Sequence, residues 1–219
     1  IVAAQALALL ASVVCVEDRP RERSGPAKAP PSRLLLRPAL LIAIAAAALI
    51  QSSHAAYYAV GSIHWLALGI EGPRIGVLWS IGVAAEIVLF WWSGRLPAWI
   101  APQHLLLIGA IAAAVRWVGL AFDPTGPVLI PLQALHALSF AATYLGMIRA
   151  IALFAPPGLE ARAQAASATV HAVTMAAAMA MGGRIEASSG GGVYLLMAGI
   201  AAAGGLMALS GARWLRSAP

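Results

Sequence analysis

Residues 75–96 read IGVLWSIGVAAEIVLFWWSGRL, and this run decides the fold. It is long enough to cross a bilayer, which takes about 20 apolar residues in a helix. It carries one interior charge, Glu86. A carboxylate among Leu, Val, Ile, Phe and Trp costs about 2.5–3.5 kcal/mol to place in hydrocarbon. Such a group is retained where it faces a bundle interior or a watery cavity and finds a partner. The next apolar run, residues 105–122 (LLLIGAIAAAVRWVGLAF), also holds one interior charge, Arg116. Two consecutive spans, one acidic and one basic, point to a buried pair.

Composition agrees. Of 219 residues, 61% are hydrophobic and 10% charged, with a mean hydropathy of +0.85. Soluble domains run near half apolar and about a quarter charged, so the solvent of this chain is lipid. One cysteine, Cys15, excludes an internal disulfide framework. A formal charge of +6 could serve nucleic acid. Here the positives lie at the edges of apolar runs, where they report topology, and no nucleic-acid partner is expected.

Residues 1–16 are apolar but shorter than a span, and no basic segment precedes them. They read as the tail of a helix that starts earlier, and the chain as a piece of a longer protein. Residues 17–37 (EDRPRERSGPAKAPPSRLLLR) form a basic, Pro-rich linker. A first full span covers residues 38–68, with Pro38 suited to a first helical turn, and residues 69–73 (GIEGP) break it. The Glu86 span, a short turn at 97–103 and the Arg116 span follow. Residues 123–127 (DPTGP) are a strong turn signal. Further spans cover 128–154, 160–186 and 193–214, separated by APPG at 155–158 and SSGGG at 188–192. The domain reading is a partial helix at 1–16, the linker at 17–37, a six-helix domain at 38–214 and a short tail at 215–219.

Orientation follows from the basic residues. With the linker in the cytoplasm, that side holds its six positives plus Arg95, Arg149, Arg162, Arg213 and Arg216, eleven of the fourteen Lys and Arg. The outer side holds Arg74 and Arg184. The expected location is the inner (plasma) membrane, with linker and C-terminus cytoplasmic.

Polar side chains inside spans need a reason. Gln51, His54 and Tyr58 share one face of the first span at spacings of three and four. Gln133, His136, Phe140 and Thr143 share a face of the fourth, and Gln164, Ser167, His171 and Thr174 a face of the fifth. The last span offers small residues such as Gly199, Ala203 and Gly204. The pattern predicts a bundle around a polar cavity, with the last helix peripheral. A lone intramembrane His serves about as often as a helix-to-helix hydrogen-bond partner as a ligand contact. Met175, Met179 and Met181 read as packing. His64 and His104 read as interfacial, and Trp65, Trp91, Trp92, Trp99 and Trp214 as an aromatic belt. At about 1.5 Å rise per residue, Glu86 and Arg116 are axially offset, so their direct contact is an open expectation. The two could lock helices together or couple proton to solute.

No GxSxG, HExxH or phosphate-binding Gly-rich loop appears. No His, Cys and carboxylate cluster has metal-ligand spacing. Neither an enzyme nor a cofactor or metal site is expected.

The runs Gln51-Ser-Ser-His54, Gly76-Val-Leu-Trp79, Ala85-Glu86, Arg116-Trp117, Gln133-Ala-Leu-His136 and Arg162-Ala-Gln164 resemble the major facilitator superfamily. The likeness is nearest to the phenylpropionate permease group, whose relatives include nucleoside–proton symporters. The resemblance implies an all-α, polytopic, C-terminal six-helix half, built as two inverted three-helix repeats over 38–122 and 128–214. It implies that an N-terminal six-helix half is missing here. Ser93-Gly-Arg95-Leu resembles the superfamily's loop motif but lacks its acidic partner.

The expected function is proton-coupled uptake of a small organic solute such as an aromatic carboxylate. Glu86 is the expected proton carrier and Arg116 its partner or anion anchor. Gln51, His54, Tyr58, Gln133, His136, Thr143, Gln164 and His171 are the expected cavity lining. A non-transporting sensor or assembly protein would instead pack its polar faces shut. A facilitator for nucleoside-like solutes is the other alternative.

Overall fold

The computed structural model describes residues 37–97 and 99–211, the side chains of residues 186–188 excepted. The expected partial helix at 1–16, the linker up to residue 36 and the tail at 215–219 lie outside the described residues. So does Trp214.

Among the described residues, six helices are long and apolar enough to cross a membrane: Pro38–Ala67, Gly72–Ser93, Pro102–Leu120, Leu129–Phe154, Glu160–Ile185 and Gly190–Ser210. No strand occurs among the described residues. We number the helices α1 (Pro38–Ser52), α2 (Ala55–Ala67), α3 (Gly72–Ser93), α4 (Pro102–Leu120), α5 (Leu129–Ala134), α6 (Thr143–Phe154), α7 (Glu160–Ser189) and α8 (Val193–Ser210). Proline opens α1, α3 and α4, where its missing N–H costs nothing and its fixed φ suits the first turn. Gly69, at φ +80°, follows α2, and Gly158, at φ +82°, lies between α6 and α7. Both take the left-handed conformation that glycine adopts without strain.

Two spans are interrupted within their length. The first is interrupted at Ser53 and His54, between α1 and α2. In lipid the freed backbone groups need internal partners. Ser53 Oγ donates to the Ile50 carbonyl at 2.6 Å, and His54 Nδ1 donates to the Gln51 carbonyl at 3.1 Å. Trp117 on α4 reaches across and donates its indole N–H to Ser53 Oγ at 2.9 Å. The fourth span carries a π-helical turn, Ala137–Ala142, between α5 and α6. Such wide turns often mark functional sites.

Packing corrects three expectations. The last span is not peripheral: α8 lies along both α1 and α4, because its small residues permit close approach. Gly204 rests against Ile50 and the Ala46 carbonyl, and Gly205 against Ala110. Trp65, placed by sequence at the interface, is 1% exposed and packs edge-on to Tyr57. His64, also read as interfacial, is buried and bonded through Nε2 to Asp123 Oδ1 at 2.7 Å. Nearness to a span end fixes depth but not which way a residue points. Trp91, Trp92 and Trp99 are exposed as a belt requires. Met175 and Met179 pack on the core, whereas Met181 is exposed.

The spans differ in cover. In α3 and α7 only 17% of the apolar stretch is buried, against 78% in the first span. Those two helices carry Glu86 and His171.

Candidate functional site

The site is assembled where α3, α4, the first span and the fourth span meet. Gly82, on α3, has His136 Cβ and the Gln133 carbonyl beside it, so the two helices approach closely. Glu86 lies four residues on, the same face one turn later. Its Oε2 stands 3.3 Å from His136 Nε2, with the Glu86 side chain 19% exposed.

On the other side of the same imidazole, Arg116 Nη1 donates to His136 Nδ1 at 3.1 Å. A guanidinium has only donors, so Nδ1 must present a lone pair. The imidazole proton then sits on Nε2 and points at Glu86. The expected direct Glu86–Arg116 pair is therefore not formed: His136 stands between them. The axial offset seen in the sequence is bridged by a residue from a third helix.

Arg116 is fully buried. Its Nη2 donates to Gln133 Oε1 at 3.0 Å, an oxygen that also accepts from Tyr57 Oη at 2.8 Å. The guanidinium carbon lies 4.5 Å from the ring centres of both Tyr57 and Trp117. Aromatic faces and neutral acceptors thus take the place of a carboxylate in direct contact.

His54, fully buried, faces the same cluster, its ring centre 5.4 Å from that of His136. With Nδ1 held by the Gln51 carbonyl, Nε2 meets Ser139 Oγ at 3.1 Å. Ser139 Oγ is also 3.2 Å from the His136 carbonyl. The hydroxyl has one proton, so it serves either His54 or that carbonyl.

A cavity of about 340 Å³ lies alongside, between α1, the fourth span and α7. Gln51, Phe140, Tyr144, Gln164, Ser167 and His171 are among its lining, with Ala47, Met147 and Ile148 supplying apolar wall. Phe140 is the partition: its ring borders the cavity and stacks on His136 at 5.3 Å and 27°.

The expected lining residues therefore divide. Gln51, Gln164 and His171 line the cavity. His54, Gln133 and His136 belong to the buried network instead. Tyr58 is 37% exposed and stacks between His54 and Trp79. Thr143 is buried, donates to the Ser139 carbonyl at 2.8 Å and abuts Gly109 on α4. The π turn is the reason: an extra residue per turn rotates Thr143 off the face that Gln133 and His136 occupy. Among the described residues no group of His, Cys, Asp and Glu could hold a metal ion.

The family model described as the MFS_1 like family matches residues 6–198. The chain belongs to the major facilitator superfamily. It is 35% identical over 142 residues to a probable 3-phenylpropionic acid transporter of Escherichia coli (strain K12), over 65% of this chain and 35% of that protein. The chain thus spans about a third of the length of the curated relative it matches. No solved structure matches it. As a major facilitator, the chain is a multi-pass membrane protein whose six spans are consistent with one half of the fold.

Tyr57 and Ser139 complete this facilitator's network without having been singled out by sequence, together with Trp117, which sequence marked only as the neighbour of Arg116 in the family likeness. Tyr57 had a signal. It follows His54 by three residues, as Tyr58 does by four, and only the interruption at Ser53–His54 decides that Tyr57 turns inward.

Proposed function

We propose that this chain is the C-terminal half of a proton-coupled transporter that takes up a small aromatic carboxylate across the inner membrane. The linker and C-terminus face the cytoplasm in this reading, and an N-terminal six-helix half completes the fold. The observation that carries it is the Glu86–His136–Arg116 chain set against a cavity, with Phe140 between.

The coupling follows from proton positions. With Glu86 ionised, His136 donates from Nε2 to Glu86 and accepts at Nδ1 from Arg116, and both ring nitrogens are satisfied. A proton arriving on Glu86 leaves Nε2–H only a neutral carbonyl oxygen to meet, so the charge-assisted contact weakens. For Glu86 to donate instead, His136 would have to move its proton to Nδ1, against the Arg116 donor. The Glu86–His136 contact loosens with no equally good arrangement to replace it, so protonation biases a two-state element, which is what coupling requires. Phe140 would pass that change to the cavity, because its ring touches both. Arg116 is sealed behind its aromatic and amide partners, which favours a positioning role over that of an anion anchor.

The relative's printed name supports the aromatic acid as solute. A sensor or assembly protein would close its polar faces against each other, and the cavity weighs against that. The test is uptake of 3-phenylpropionate into proteoliposomes containing the native protein under an inward proton gradient. Accumulation abolished by a protonophore is expected. Uptake that neither the gradient nor the protonophore alters would overturn proton coupling.

A further inference from the structure

The cavity carries a chemical preference that the network beside it does not. Gln51 is 7% exposed, and its Nε2 is engaged, donating to the Phe140 carbonyl at 3.3 Å. Its Oε1 is buried with no partner, and so is Nδ1 of His171. Both residues line the cavity. An acceptor amide oxygen and an imidazole nitrogen, left unmatched in one small space, ask for a ligand with a donor and an acceptor of its own.

Among the described residues, no lysine or arginine lines the cavity. The titratable groups there are His171 and Tyr144. The charges of the network, Glu86 and Arg116, both touch His136, which Phe140 covers. An unpaired carboxylate in such a space would be strongly disfavoured. A carboxylic acid would not: its O–H suits Gln51 Oε1, its carbonyl suits an N–H on His171, and an aryl ring suits Phe140, Tyr144 and Met147.

We infer that this cavity takes the aromatic acid in its neutral, protonated form. The proton comes from bulk water, joins the carboxylate oxygen and travels with the solute. This rests on the chain transporting an aromatic acid, but not on Glu86.

The test is equilibrium binding to the native protein in lipid nanodiscs, using 3-phenylpropionic acid and its neutral analogue 3-phenylpropionamide. Carboxyl groups ionise near pH 4–5, so the neutral fraction falls about tenfold per pH unit above that range. The apparent Kd of the acid should rise about tenfold per unit between roughly pH 6 and pH 8. The amide should bind with a Kd that is flat over the same range. His171→Arg, which puts a cation in the wall, should flatten the acid's pH dependence without abolishing amide binding. Gln51→Leu should weaken acid and amide alike. An acid Kd independent of pH in the unaltered protein overturns the neutral-acid inference and leaves the transporter reading standing. An amide Kd that shifts in step with the acid's assigns the effect to a protein group and also overturns it. Failure of both compounds to bind at any pH sinks the aromatic-acid reading itself.

Discussion

Glu86 Oε2 and His136 Nε2 meet at 3.3 Å across two helices, and the contact is prepared one turn earlier, where α3 has no side chain at Gly82. The same imidazole is tied by its other nitrogen to Arg116. A carboxylate and a guanidinium on neighbouring spans therefore communicate through a ring whose two nitrogens cannot be reassigned independently. If Glu86 is the group that loads and unloads protons, Glu86→Gln in the native protein should cut accumulation driven by a pH gradient to the level that carriage of the neutral acid alone gives. Solute exchange at equal pH on both sides should survive, because the cavity does not contain Glu86. Unchanged gradient-driven accumulation in that variant would remove Glu86 from the mechanism.

The close approach at Gly82 gives a graded test. A Cβ there would stand 3.4 Å from His136 Cβ and 3.5 Å from the Gln133 carbonyl oxygen, ordinary contact distances. Gly82→Ala should therefore be tolerated in folding and coupling. Gly82→Leu has nowhere to put the added carbons, and overpacking of this kind costs about 1–3 kcal/mol. It should lower thermal stability in detergent and uncouple uptake from the proton gradient. Equal behaviour of the two variants would show that the helix spacing is not what sets the Glu86–His136 contact.

Removing the middle member of the chain should hurt stability more than removing its acidic end. His136→Ala leaves Arg116 Nη1 without its acceptor in a fully buried position. A buried donor so abandoned costs about 1–3 kcal/mol, and more when charged. His136→Gln offers a carbonyl oxygen in roughly the same place and should recover part of the loss. The melting temperatures should order as unaltered protein, then Gln, then Ala. A variant with Ala as stable as the parent would mean that Arg116 finds other partners.

The spans and their order were legible because bilayer thickness imposes length and apolarity on each one. The candidate residues were legible because hydrocarbon penalises every polar group it holds. Pairings were not. Arg116 and Glu86 lie on adjacent spans, yet the residue that joins them, His136, belongs to a third helix, and only helix crossing puts it there. Face reading assumes an unbroken helix of 3.6 residues per turn. It went astray where that fails, at the Ser53–His54 interruption, which turns Tyr57 inward, and at the π turn, which takes Thr143 toward Gly109. Pro131 and the two hydroxyl residues Ser139 and Thr143 in the fourth span are the sequence features around that turn. The burial of His64 and Trp65 likewise depends on what packs beside them, which depth in the membrane does not tell.

The end of the bundle away from the linker is tied by His64 and Asp123, and the tie can be separated from backbone conformation. Asp123 has φ +51°, the left-handed region, which Asp and Asn enter at lower cost than other residues with side chains. Its carboxylate accepts from or pairs with His64 Nε2 at 2.7 Å and lies where a side chain at Gly191 would have to go. Asp123→Asn keeps both the conformation and an oxygen for His64, so its melting temperature should change little. Asp123→Gly keeps the conformation and loses the contact. Asp123→Val loses the contact and adds strain, about 1–3 kcal/mol for a residue held in a sparsely populated region. Gly191→Ala should displace the carboxylate and resemble Asp123→Gly. Thermal unfolding of the four variants in detergent checks the order Asn, then Gly and Gly191→Ala together, then Val. If Asn falls as far as Val, the contribution comes from the negative charge rather than from the left-handed turn that aims it.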